Sequence, residues 1–575
     1  MDEDARAGFL AVSDGGDDAA VPATAVRSRH GAVTLSRWGG DATAREPVAL
    51  LSPLLWRSGS GSVPPGAVRS AALADPRTAA SRMMPPFALA VGHDDGVTAV
   101  TDAVGFRPVY AARGALASSA LLAGAATAAA LDERGIAVQS LVGWQLGDRT
   151  LLEGVRALPA GAAAELRGGG TRVDAPGEPA APEWGLREGA ARAAGILRAT
   201  VERVLDEHPD ATLQLSGGWD SRVLLSAVPP SRRRGLRAMT LGDEEDGDVK
   251  VARVLAARCG LRHEVRPQAD FSGLSPERAW ERLEAAARRV DGQTDALAVA
   301  SLRRAEEGFE QGVRISGVAG EVGRGFFYGP RAAERGYERG EVERLAAWRL
   351  FANHRVEDEA LTPDFRRWAA VVAVDEVEAA LRAGGDEFLR ASDRLYLRHR
   401  VRRWAGTNDA AVSDDRLIIN PMLDPDFLAV MEGVAPAGKA HARFFAMLQM
   451  ELDGDLADVP LDGRPSPRRQ ASRSPSAAVL RASLTARKGA RKAVQRLRRG
   501  TRPAAGTHEL ARLVARHWAD EPGILAPLEG LDSVLDGGWL ADVADGRRVP
   551  LPSSVAFVTS LLMARSVSRR AGAVA

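Results

Sequence analysis

The chain has 575 residues, 76 Lys+Arg against 75 Asp+Glu, and a single cysteine. A net charge of +1 argues against a general nucleic-acid binder. The lone Cys259 excludes a disulfide framework, a cysteine-rich zinc site and a CxxC redox pair. The cations are unevenly chosen: only Lys250, Lys439, Lys488 and Lys492 are lysines, and the rest are arginines. Arginine presents a fork that does not titrate, whereas lysine is a compact, tunable ammonium. At roughly 150 residues per domain, the length predicts three or four domains.

The chain opens acidic, MDEDARAG, without the basic and apolar regions of a signal peptide. Its longest uncharged stretch, Gly114 to Leu131, is mostly Ala, Ser and Gly. Such residues drive membrane insertion poorly, so the stretch reads as a buried strand–helix segment. A cytoplasmic protein that neither enters a membrane nor binds nucleic acid is the expectation, and it suits a reduced cysteine.

Up to residue 173 short apolar runs alternate and turn at Asp and Gly, as in FALAVGHDDGVTAVTDAVGFRPVYAA, the pattern of strands and hairpins. Residues 174–185 hold three prolines within DAPGEPAAPEW and read as a linker. From 186 to 462 the rhythm changes. Leu186 to Glu207 has helical spacing, Ala211 to Leu215 is strand-like, and Ala/Arg/Glu-rich segments then alternate with short apolar ones. That is the βα pattern of a parallel sheet covered by helices. Residues 463–508 contain eleven arginines, two lysines and no acid. They read as a solvated connector, or as a basic flap meeting an acidic substrate, a nucleotide or a partner. Residues 509–575 read as a helical cap.

The most informative segment is Leu213 to Ala227, LQLSGGWDSRVLLSA. An apolar strand enters Ser216-Gly217-Gly218-Trp219-Asp220-Ser221, and a helix leaves it. Two glycines let backbone N–H groups approach oxygen anions. The helix that follows adds its N-terminal N–H groups and positive dipole end. Ser216 and Ser221 can donate hydroxyl hydrogens. Asp220 would repel phosphate directly, so its place there implies Mg²⁺ between them. Neither a Walker A loop nor GxGxxG is present. The pattern resembles the PP-loop of the ATP pyrophosphatases, which split ATP into AMP and pyrophosphate while adenylating a substrate.

With the segments downstream, the chain resembles the asparagine synthetase family. Ala238-Met239-Thr240-Leu241-Gly242 and DGDVKVARVLAARCGLRHE resemble the family's second strand, bordering the adenine, and the helix after it. RISGVAGEVGRGFFY, Arg314 to Tyr328, is similar to the segment that completes the nucleotide site. Asn420 to Asp424 resembles the "VPFLD" box, and Gly438-Lys439 to Arg443 the "GKxxxR" that places a catalytic lysine. The N-terminal DAVGFRPVY, Ala117-Ser118-Ser119 and GDRTLLEGVRALPAG resemble the glutaminase-type domain. The resemblance covers roughly Phe87 to Ala457.

This resemblance implies an α/β chain: a degenerate Ntn-type αββα domain, then a PP-loop parallel-sheet domain with a helical C-terminal extension. It implies ATP and Mg²⁺ as cofactors. Leu215, Ser216, Gly217, Gly218, Asp220, Ser221, Leu241, Ser316 and Gly317 would bind the nucleotide. Asp220 and Glu321 would hold the metal and, with Lys439, act in catalysis. A lysine there supplies a point charge to a transition state crowded with negative oxygens.

The departures narrow the function. The family's glutaminase needs a cysteine at position 2, where this chain has Asp2, and a carboxylate cannot do thiolate acyl chemistry. Glutamine hydrolysis is therefore not expected. An acid is replaced by Val318, a glycine by Ala319, a second acid by Val322 and an arginine by Ile419. ATP handling is retained while the aspartate-recognising part is not. The reading is an AMP-forming amide ligase resembling β-lactam synthetases and lasso peptide cyclases. Its substrates would be a small-molecule or peptide carboxylate and amine, with a precursor peptide, a companion maturation protein and a homodimer as candidate partners. Asparagine synthesis from free ammonia and a non-catalytic ATP-binding scaffold stay open.

Overall fold

The computed structural model describes residues 6–18, 20–39, 46–51, 57, 65–177, 182–328, 335–472, 483 and 506–572. The chain is α/β. Its first part is built from two antiparallel sheets. One runs, in spatial order, through strands Val26–His30, Val33–Trp38, Gly8–Ser13, Ala115–Ala117, Tyr110–Ala112 and Arg156–Ala157. The other runs through Gly170–Asp174, Ala163–Arg167, Gly96–Thr101, Ala88–His93 and Val48–Leu51.

Period-two alternation decides how they stack. Phe9, Ala11, Val33 and Leu35 of the first sheet meet Ala88, Ala90, Val97, Ala99 and Leu166 of the second in one core. The intervening Leu10 and Val12 face helix Ala120–Ala126 instead. Leu89, Val91 and Val100 face helices Pro65–Ala74 and Pro76–Arg82. The layers are thus αββα, as expected. The uncharged stretch from Gly114 is indeed a buried strand followed by a helix. Among the described residues no helix is long and apolar enough to cross a membrane.

The second part is a five-stranded, all-parallel sheet. Its spatial order is Arg262–Arg266, Arg237–Leu241, Thr212–Gln214, Arg314–Ile315, Ile418–Ile419. Helix Leu186–Glu207 precedes it and buries Ala190, Ala193, Leu197, Val201 and Val204 at three- and four-residue spacing. These pack with Leu213 and Leu215 in one large core. The chain leaves the central strand Thr212–Gln214 for one neighbour and later returns to the other. Such a reversal opens a crevice beyond the carboxyl ends of the strands.

The C-terminal helices Thr507–Asp520, Gly537–Ala544 and Pro552–Gly572 do more than cap one domain. Leu510, Val514, Trp518 and Leu561 share a core with Leu10 and Ala123 of the first part and with Trp280 and Leu283 of helix Pro276–Arg289. Of the Arg-rich connector, residues 473–482 and 484–505 lie outside the described residues.

Candidate functional site

Leu215, Leu241 and Ser316 sit at the carboxyl ends of three neighbouring parallel strands. Leu215 donates its N–H to Met239 O at 2.8 Å, and Ser316 donates to Ile419 O at 2.9 Å. The loops that follow the strands therefore open on one side. Between Leu215 and helix Asp220–Ala227 the glycine loop closes on itself. The N–H of Ser216 donates to Ser221 Oγ at 3.0 Å, and that of Gly218 to Ser216 Oγ at 3.2 Å. The two hydroxyl oxygens stand 3.1 Å apart. Trp219 turns inward, edge-on to Phe445 at 6.4 Å. Gly217 is pressed against helix Gly247–Cys259: a Cβ there would lie 2.9 Å from Asp248 Oδ1.

The second loop, Ser316 to Arg324, meets the first. A Cβ on Gly317 would lie 2.7 Å from Asp220 Cβ, and one on Gly320 would lie 2.1 Å from Asp220 Oδ1. Both approaches require glycine. Ala319 adopts φ 77°, a left-handed backbone that an L side chain makes costly by about 1 kcal/mol.

This meeting brings Asp220 and Glu321 to one cation that the sequence reading missed. Arg324 donates to Asp220 Oδ2 at 2.6 Å and lies 3.3 Å from Glu321 Oε1. Its guanidinium also sits 5.6 Å from the centre of the Phe445 ring. Burial pushes the Asp220 carboxyl up to about 7, with Arg324 opposing the shift and Glu321 adding to it. Burial works against the charge of Arg324 too, but the two carboxylates outweigh it and hold the proton more firmly than usual.

Asp220 Oδ1 is buried and has no hydrogen-bond partner. It is a hard oxygen of the type Mg²⁺ takes, and Glu321 offers a second. Among the described residues no three His, Cys, Asp or Glu side chains form a metal cage. Mg²⁺ is commonly held by one or two carboxylates together with substrate phosphates, so the residues present fit that arrangement.

Lys439 ends the short helix Pro436–Lys439 and is 2 % exposed. His441 and Ala442 just after it have φ 56° and 58°, so the turn that fixes Lys439 is strained. Its ammonium donates to Asp393 Oδ2 at 2.7 Å, and Tyr328 Oη donates to the same oxygen at 2.7 Å. Burial raises the Asp393 carboxyl, and Lys439 pulls it back. Three residues on, Tyr396 Oη donates to Glu321 Oε2 at 2.7 Å. Side chains three apart share a helix face. One face therefore holds both the partner of Lys439 and the partner of Glu321. Arg324 was open to discovery by its spacing from Glu321; Asp393 and Tyr396 carry no motif at all.

Several other motif residues have structural work. Asp424 caps helix Pro425–Gly433, accepting the Asp426 N–H at 2.8 Å. Asp102 is fully buried and accepts N–H groups from Phe87, Val104, Phe106 and Arg107 at 2.9–3.2 Å. It fixes the DAVGFRPVY turn. Ser118 Oγ accepts the Phe9 N–H at 2.9 Å, and Ser119 caps helix Ala120–Ala126. Cys259 closes helix Gly247–Cys259, partly buried, and burial raises its thiol.

No family model matches the chain, and no curated protein is similar to it. Among solved structures it is similar to one described as the structure of the allosteric regulatory enzyme of purine biosynthesis. The two are 11% identical over 46% of this chain and 75% of that one, with a TM-score of 0.19.

Proposed function

We propose that the chain is an ATP-dependent ligase of the asparagine synthetase type, acting in the cytoplasm. A substrate carboxylate attacks the α-phosphate of ATP and releases pyrophosphate; an amine then attacks the acyl-adenylate and releases AMP. The observation that carries this reading is the meeting of two loops beyond adjacent parallel strands, which puts Asp220 and Glu321 around one cation beside a Ser-Gly-Gly-Trp-Asp-Ser turn.

In this reading the glycine turn and the N-terminus of helix Asp220–Ala227 receive the phosphates. Asp220 and Glu321 would hold Mg²⁺, which, when bound, neutralises the oxygens of the leaving pyrophosphate. Arg324 positions both acids and adds a fixed positive charge beside them. Lys439, kept in place by Asp393 and Tyr328, supplies a buried ammonium where negative charge develops, and electrostatic stabilisation of that kind is the largest catalytic lever available. Candidate substrates are a small acid or a peptide with its amine partner, within a specialised metabolite or peptide maturation route.

A second reading is a non-catalytic nucleotide-binding scaffold. It draws on Arg324 and Asp393, which already satisfy the carboxylates and the ammonium that catalysis would use. Pyrophosphate–ATP exchange over a panel of carboxylates separates the two readings. The ligase reading expects exchange with at least one acid and its loss in Lys439→Met. ATP binding without exchange for any acid supports the scaffold.

A further inference from the structure

Glu321 and Arg324 stand on one short turn, Gly320–Arg324, a 3-10 helix in which residues three apart lie one above the other. Left-handed backbone bounds the turn on both sides, at Ala319 with φ 77° and at Gly325 with φ 60°. Arg324 is thereby held beside Glu321 and reaches across to Asp220 on the other loop. A single nitrogen, Nη2, serves both acids, at 2.6 Å and 3.3 Å. Nε of the same guanidinium is buried and makes no hydrogen bond among the described residues. The fork is therefore only partly spent, unlike a guanidinium paired bidentately with one carboxylate. Behind it stands the ring of Phe445, which in turn meets Trp219 of the glycine turn.

The same contacts leave little of the acid pair for another cation. Glu321 gives Oε1 to Arg324 and Oε2 to the Tyr396 hydroxyl, and Asp220 gives Oδ2 to Arg324. Of the carboxylate oxygens, Asp220 Oδ1 alone has no hydrogen bond among the described residues. A small divalent ion such as Mg²⁺ needs such oxygens and sheds its water reluctantly. A divalent ion and a guanidinium on one carboxylate pair also repel each other, more strongly in a partly buried site than in water. Free ion and Arg324 are thus competitors. A triphosphate changes the balance. Its oxygens add the negative charge that two cations require, and a planar fork with an unspent Nε–H suits phosphate bidentately.

We propose that Arg324 is an internal cation latch. It closes the Asp220–Glu321 pair to a free divalent ion and yields the pair when the ion arrives with a triphosphate, whose oxygens accept the released guanidinium. Ion and nucleotide then load together, each raising the affinity of the other. The two acids never face each other without a cation, an arrangement that is costly away from water. This inference rests on the ligase reading and adds to it the order in which the site fills.

The test is titration of the full chain with Mn²⁺, a paramagnetic stand-in for Mg²⁺, followed by electron paramagnetic resonance without nucleotide. ATP binding is measured in parallel by calorimetry. Arg324→Met should bind free Mn²⁺ at least about tenfold more tightly than the native chain. Arg324→Lys, which keeps the charge, should stay closer to the native chain than to Arg324→Met. The gain should vanish in Arg324→Met/Asp220→Asn. If the bare carboxylate pair keeps Arg324→Met from folding, added Mn²⁺ should restore its near-ultraviolet circular dichroism. Equal Mn²⁺ affinity in the native chain and Arg324→Met overturns the latch. So does a gain that survives Asp220→Asn, or an unfolded Arg324→Met that Mn²⁺ does not restore. A gain in Arg324→Met with no ATP binding by the native chain leaves Arg324 as the competitor of the ion and removes the ligase reading instead.

Discussion

Gly317 has no room for a side chain. A methyl group there would meet the backbone of Asp220, 3.1 Å from its carbonyl carbon, as well as its Cβ. Overpacking of this kind costs about 2 kcal/mol. Gly317→Ala is expected to lower stability by that amount in urea denaturation and to weaken ATP binding, because the two loops must separate. Lys439 gives a second expectation. Lys439→Met strands the Asp393 carboxylate with Tyr328 alone and should cost about 3 kcal/mol. The double variant Lys439→Met/Asp393→Asn should regain part of that stability without regaining exchange, which thermal unfolding and the exchange assay can show. Asp220, Glu321 and Lys439 were legible in the sequence because each sits in a contiguous motif whose chemistry is local. Arg324 could have been found from its three-residue spacing from Glu321. Asp393 and Tyr396 were not legible, since their contacts depend on which helix face packs against a distant loop.

At the level of elements, Arg222 links the Ser216–Ser221 turn to the segment around Val459 and Pro460. It is fully buried on helix Asp220–Ala227, donates to Val459 O, and donates to Pro460 O at 2.7 Å. Two residues on, the Asp462 N–H reaches Gly217 O at 3.3 Å. The segment that leads into the Arg-rich connector is therefore fastened to the loop itself. Arg222→Met leaves the carbonyl of buried Val459 without its donor and should cost about 2 kcal/mol. Hydrogen exchange should rise first in residues 456–464; exchange that rises uniformly across the chain would contradict this link. The long helix Leu186–Glu207 and the strand before the loop were readable from periodicity and composition. The π-helical segments Ala346–Leu350 and Tyr396–Ala405 were not, because their apolar spacing in sequence is that of an ordinary helix.

Across the whole molecule, the C-terminal helices serve as a joint. Trp518 packs edge-on to Trp280 at 5.9 Å, and its core reaches the first antiparallel sheet as well as helix Pro276–Arg289. Trp518→Ala should cost about 3 kcal/mol and lower the unfolding temperature of the chain as a unit; differential scanning calorimetry would show a small independent transition instead if the helices were only a local cap. The strands and hairpins of the first part and the parallel sheet were legible because alternation and βα rhythm are local signals, whereas the αββα layering came only from the resemblance. The shared core was not, since it joins residues some five hundred positions apart. The proposed handling of a magnesium–triphosphate by Asp220 can be measured by calorimetric titration of ATP with and without Mg²⁺. Mg²⁺-dependent binding is expected for the native chain, and at least about tenfold weaker, Mg²⁺-insensitive binding for Asp220→Asn. Binding that is absent, or that is the same for both proteins, would contradict it.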